Sequence, residues 1–174
     1  MSDLDRARRF IDVFELARTA GAVEGVLPVA QMLRLAPSLV RPEGELAFEL
    51  RGYVDMRGRP GAVLSFRGQA QMTCDRCGAP VTCELTGIAR FYFVRTAQEL
   101  ERIPVDESED EPLLGSARFD LHELLEDEAI LALPISPRHA DCAAPALAPP
   151  DAEVGAADRS HPFAPLAQLK SRRQ

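Results

Sequence analysis

Two hydrophobic periods divide this chain. From Gly44 to Val94 apolar and polar residues alternate, the pattern of a strand with one face buried. Leu46, Phe48, Leu50 and their polar neighbours predict a first strand over 46–55. Arg57-Gly58-Arg59-Pro60-Gly61 reads as a turn, and 62–73 as a second strand. Cys74 to Pro80 is a second turn, and Val81 to Val94 a long third strand with Ile88, Phe91 and Phe93 to pack. Strands joined in this way predict an antiparallel meander. From Phe119 the period becomes helical. Asp120 is suited to N-cap a helix, Leu121, Leu124 and Leu125 form its apolar stripe, and Glu123, Glu126 and Asp127 its polar face. Ala129 to Leu133 is apolar all round and predicts a buried helix end, which Pro134 and Pro137 stop.

The flanks are less regular. Phe10, Val13, Phe14 and Leu16 suit a strand or a short helix, with Gly21 and Gly25 as breakers. Pro28 reads as the first residue of a helix whose apolar side is Val29, Met32, Leu33 and Leu35, closed by Pro37. Seven acids lie between Glu99 and Glu111, so residues 97–115 read as a solvated, mobile loop. Ala117 to Phe119 fits a short strand before the helix. After Cys142 the chain turns rich in Ala and Pro without a period. The expected fold class is therefore α+β: an antiparallel β meander of three or more strands covered by a few helices. Residues 1–142 form the expected single domain, 143–160 a disordered Ala/Pro-rich linker, and 161–174 a tail whose Phe163, Leu166 and Leu169 suit a short docking helix.

Composition narrows the function classes. At 46 % hydrophobic residues, the 174-residue chain can build one ordinary core. Aromatics reach only 6 % and Trp is absent, which argues against a platform for stacking bases. A formal charge of −7 opposes broad contact with RNA phosphates and favours a basic protein as the direct contact. The acidic loop and the helix acids Glu123, Glu126, Asp127 and Glu128 are the candidate contact surface. The tail residues Lys170, Arg172 and Arg173 form the one local stretch suited to phosphate. No stretch is long and apolar enough for a membrane span or a secretory signal, so the expected location is the cytoplasm, where thiols stay reduced.

Cysteine spacing supplies the main chemistry. Cys74-x-x-Cys77 occupies a turn between strands and is followed by Gly78, the shape of a zinc knuckle. His139-x-x-Cys142 follows the predicted helix and would complete a Cys3His set for one structural zinc, stapling the helix exit to the sheet. Two other readings stand beside it: inert thiols packed as small core residues, and a redox pair, which would more usually open a helix. Cys83 reads as core and His122 as solvent-facing. No nucleophile elbow, P-loop or dinucleotide fingerprint is present. The helix acids could serve a metal-dependent RNA-processing enzyme, but such runs are common on surface helices and a solvated face is the preferred reading, so the expectation is a protein that is not an enzyme and has no small-molecule substrate.

Three stretches resemble the YceD family, the large ribosomal RNA subunit accumulation proteins. The first is the Cys-x-Arg-Cys turn at Cys74, Arg76 and Cys77, which adds Arg76 to the contact candidates. The second is Asp120-Leu121, the acids Glu126-Asp127-Glu128, then Leu131-Ala132-Leu133-Pro134, Pro137, His139 and Cys142. The third is Pro162-Phe163-Ala164, Leu166-Ala167 and Leu169-Lys170. The resemblance implies a ribosome biogenesis factor supporting synthesis, processing or stability of 23S rRNA. Its expected partners are a large-subunit ribosomal protein, an rRNA-processing factor or a 23S rRNA precursor. A zinc-stapled adaptor unrelated to ribosomes is the further alternative.

Overall fold

Alternation carries the middle of the chain into a sheet. The computed structural model describes residues 9–104 and 110–143, all within the first of the two units into which the chain divides, Met1–Ala143 and Ala144–Gln174. The predicted linker and docking helix fall almost wholly outside the described residues, as do Lys170, Arg172 and Arg173. In the described part the fold is α+β. Strands β2 (Ala22–Pro28), β3 (Glu45–Val54), β4 (Pro60–Thr73), β5 (Pro80–Val94) and β6 (Glu111–Leu114) form a five-stranded sheet in chain order. All neighbours are antiparallel except β5 and β6, which are parallel. A two-residue strand β1 (Phe10–Ile11) pairs with β7 (Phe119–Asp120). Helices α1 (Val13–Arg18), α2 (Ala97–Glu101) and α3 (Leu121–Leu131) complete the fold.

The three central strands match their predicted positions because period-2 alternation needs only one buried face to decide it. Leu46, Phe48 and Leu50 of β3 and Leu64 and Phe66 of β4 turn inward, with Phe48 opposite Phe66 and Leu50 opposite Leu64. Val13 and Leu16 of α1 and Leu121, Leu124, Leu125 and Ala129 of α3 cover that face. The opposite face of β2–β5 carries Glu24, Glu49, Arg67, Thr86 and Ile88 and has no covering layer among the described residues.

Helix α1 crosses β3 at Gly52. A Cβ built there would lie 2.8 Å from the Ala17 nitrogen and collide with the Leu16 carbonyl. Both obstacles are backbone and cannot rotate away. Gly52→Ala is therefore expected to destabilise the fold by about 3 kcal/mol, the upper range for overpacking. A denaturant midpoint equal to wild type would show that α1 can slide off β3 at little cost.

Several flanking expectations are corrected. β2 was not expected, since Gly25 and Pro28 read as a breaker and a helix start. The ladder explains both. The Gly52 N–H donates to the Gly21 carbonyl at 2.8 Å, and the Val29 N–H to the Gly44 carbonyl at 3.0 Å. Odd-numbered residues of β2 therefore bond inward to β3, and even-numbered ones point to the free edge. Pro28 sits at an even position, where its missing N–H costs the ladder nothing. The predicted helix after it is two 3-10 turns, Val29–Gln31 and Ala36–Ser38. Val29, Met32 and Leu35 are buried at a spacing of three, whereas Leu33, expected on the apolar side, is 78 % exposed. The predicted acidic loop contains α2 and β6. The end of α3 is not buried all round, because Leu131 is 76 % exposed.

Candidate metal centre

The site begins where β4 and β5 outrun the rest of the sheet. β3 pairs with β4 only as far as Gly68, so Gln69–Thr73 and Pro80–Glu84 continue beyond it as a ribbon, joined on the β4 side by a single bridge between Arg41 and Gln71. Cys74–Ala79 forms its turn. The Cys74 N–H donates to the Ala79 carbonyl at 2.9 Å and the Gly78 N–H to the Cys74 carbonyl at 2.8 Å. Gly78 has φ +75°, a left-handed conformation that favours glycine.

Helix α3 brings the second pair of candidate ligands to this turn. Asp120 starts the helix as its N-cap, accepting from the N–H groups of His122 and Glu123, while its second oxygen takes Arg9 at 2.9 Å. Pro134 and Pro137 forbid continuation, and the chain turns back along the ribbon. The Asp75 N–H donates to the Pro137 carbonyl at 2.9 Å, and Arg76 donates to the Cys142 carbonyl at 2.9 Å. Met72, Cys74 and Val81 form a small apolar cluster beneath the turn, against which Leu39, Leu133 and Cys83 pack.

The ligating atoms of Cys74, Cys77, His139 and Cys142 all lie within 4.8 Å of one another. Cys74 Sγ is 3.7 Å from Cys142 Sγ, and Cys77 Sγ is 3.4 Å from His139 Nδ1. A tetrahedron with metal–sulfur bonds of about 2.3 Å and metal–nitrogen bonds of about 2.0 Å has edges of roughly 3.8 and 3.5 Å. His139 Nε2 donates to the Pro80 carbonyl at 3.0 Å, the tautomer that leaves Nδ1 free to ligate.

The electrostatics suit a cation. Burial resists ionisation of Cys74, but the backbone amides of Cys77, His139 and Arg76 at its sulfur outweigh burial and draw the thiol down to about 5. Cys142 moves the other way, pushed up by burial and by the neighbouring sulfurs of Cys74 and Cys77. Three crowded sulfurs oppose full ionisation unless a positive charge sits among them. These residues could hold a metal ion. Cys83 stays outside the set, and burial raises its thiol.

The acids of α3 do not converge on a site of their own. Glu126, read as part of the polar face, is buried. One of its oxygens accepts from the N–H groups of Arg34 at 2.6 Å and Leu35 at 3.1 Å, and the other takes the Arg34 guanidinium at 3.2 Å. Arg34 also binds Asp127 and the Glu123 carbonyl. Glu128 is half-buried, and burial followed by the charges of Glu111 and Asp127 raises its carboxyl above the usual range. Only Glu123 stays fully on the outside. His122, expected to face solvent, lies half-buried beside β2. Sequence reasoning missed Arg34. Its one signal was a cation inside the apolar run from Met32 to Leu35, where a long side chain needs an acid across the chain.

The chain belongs to the YceD family. The family model for the large ribosomal RNA subunit accumulation protein YceD matches residues 63–170, from β4 through the ribbon, α3 and the cysteine site into the tail. No solved structure matches the chain. Among the described residues no helix is long and apolar enough to cross a membrane.

Proposed function

We propose that this YceD-family protein is a non-catalytic, cytoplasmic binding factor that supports synthesis, processing or stability of 23S rRNA, and that Cys74, Cys77, His139 and Cys142 hold one structural zinc. The observation that carries this reading is the closed ligand set. Three sulfurs and one imidazole lie within 4.8 Å of one another, and a zinc that took all four would have no position left for a water or a substrate. A metal held this way organises a surface and does no chemistry. Of the four helix acids that could have served a metal, Glu126 and Asp127 are committed to Arg34. The zinc would fix the exit of the acidic helix against the ribbon, so that Glu123 is presented on a defined face to a large-subunit ribosomal protein, a processing factor or the precursor RNA.

Sedimentation of cell extract tests the reading. The protein is expected to migrate with large-subunit precursors, and pull-down after nuclease treatment is expected to retain a protein partner. Confinement to the top of the gradient in growing cells would refute the ribosomal role. Loss of every partner after nuclease would replace protein contact with RNA contact.

A further inference from the structure

The free edge of β2 carries features of a binding site that the metal centre does not account for. By the ladder parity given above, the N–H and C=O groups of Ala22, Glu24 and Val26 point away from β3. Nothing pairs with them among the described residues. Proteins usually blunt such an edge with lysine, proline or a very short strand. The opposite edge, β6, is four residues long and contains Pro112. β2 is seven residues long, carries no Lys or Arg, and has its proline only at its last position.

Concavities lie on both sides of this edge. On the open face a groove of ≈ 980 Å³ is lined by Glu24, Val26, Ala47, Ser65, Arg67 and Ile88, with Val26 55 % and Ile88 78 % exposed. Toward α3 a cavity of ≈ 200 Å³ is lined by Leu27, Gln31, Glu45, Phe48 and His122. Successive side chains of an added strand point to opposite faces, so they would enter the two spaces in turn.

Charge selects the occupant. Glu24 stands directly opposite Glu49, a like-charged cross-strand pair. Glu49 is neutralised by Arg51, whereas Glu24 and Glu45 have no partner among the described residues. Arg67 lies two strands in from the edge. A second copy docking β2 on β2 would bring two unpartnered Glu24 carboxylates to one seam, and a phosphate backbone would meet the same acids. We propose that the edge of β2 is a docking site for an extended segment of a protein partner bearing alternating apolar and basic residues, which adds to the sheet as a sixth strand. This deepens the assembly reading above, since it names the class of partner.

The full-length protein is tested by fluorescence anisotropy with three labelled probes: a short alternating Val–Lys peptide, its Val–Glu counterpart and an oligouridylate. Only the Val–Lys peptide is expected to bind, and it is expected to slow hydrogen exchange at the Glu24 and Val26 amides. Val26→Pro removes an outward N–H and leaves the ladder to β3 intact, so affinity is expected to fall at least about tenfold. Glu24→Lys is expected to reverse the preference between the peptides, and it carries the test should Val26→Pro fail to fold. Failure to bind the Val–Lys peptide, unchanged affinity in a folded Val26→Pro protein, competition by oligouridylate, or a dimer abolished by Val26→Pro would each overturn the proposal. The assay contains no ribosomes, so its outcome is independent of the sedimentation test of the assembly role.

Discussion

Cys77→Ser protein is expected to purify without stoichiometric metal and to unfold well below the wild type. The substitution replaces a thiolate by a hydroxyl that is a poor ligand for zinc and leaves three ligands around one charge. Structural zinc contributes on the order of 10 kcal/mol in small peptides that have no other core. Here the main core of the sheet, α1 and α3 is a separate cluster from that of Met72, Cys74 and Val81, with Leu39 and Leu133 packing against both. The loss should therefore be partial, about 3 kcal/mol, which lowers the melting temperature of a domain of this size by roughly 6–12 °C. The effect should be local: the ribbon tip and residues 134–142 loosen, while α3 stays anchored by Leu121, Leu124, Leu125 and Ala129. A chelator added to wild type should reproduce the shift. Cys83→Ser is the control, because Cys83 packs beside the cluster but is not one of the four candidate ligands. Metal analysis and thermal unfolding of both variants decide the matter. Equal metal content and melting in Cys77→Ser and wild type would remove the zinc.

Glu126→Ala is expected to destabilise by about 3 kcal/mol, since a buried group left without its partner costs roughly 1–3 kcal/mol and the Arg34 and Leu35 N–H groups both lose theirs. Arg34 keeps Asp127 and the Glu123 carbonyl, which limits the cost of its lost ion pair. Glu126→Gln retains an oxygen for the two amides and gives up only the charge, so about 1 kcal/mol is expected. Glu123→Ala, on the outer face, should stay within about 0.5 kcal/mol. Denaturant midpoints rank the three. If Glu126→Ala and Glu123→Ala coincide, the buried carboxylate is not what ties the segment after β2 to α3.

The contrast between these two acids shows where sequence reading stops. Glu123 and Glu126 are the same residue type, three apart on one helix, and the pattern assigned both to a solvated face. On a helix, three residues is nearly one turn, and the arc covered by neighbouring chain here extends past the apolar stripe to Glu126. What covers that side is the segment after β2, which lies about ninety positions earlier in the chain. No local period encodes that contact. The same limit explains β2 itself. A glycine and a terminal proline are poor strand signals in isolation, yet both are harmless once pairing with β3 sets which amides point inward.

The strands β3, β4 and β5, the capped start of α3 and the stop after it were determined by the sequence alone. Alternation, an N-capping acid and helix-breaking prolines act within a few residues of where they are written. The cysteines and histidine that could hold a metal were also legible, as types and as two spaced pairs. Only the tertiary structure decided that the pairs meet. That depends on β4 and β5 extending beyond β3, and on the chain after α3 turning back, latched by the Asp75 bond to Pro137, to place His139 and Cys142 at the ribbon tip. It alone also decided which acids face outward and which strand edge is left open. Those outcomes rest on contacts between distant segments, which set burial and pairing, and burial and pairing determine what each side chain is free to do.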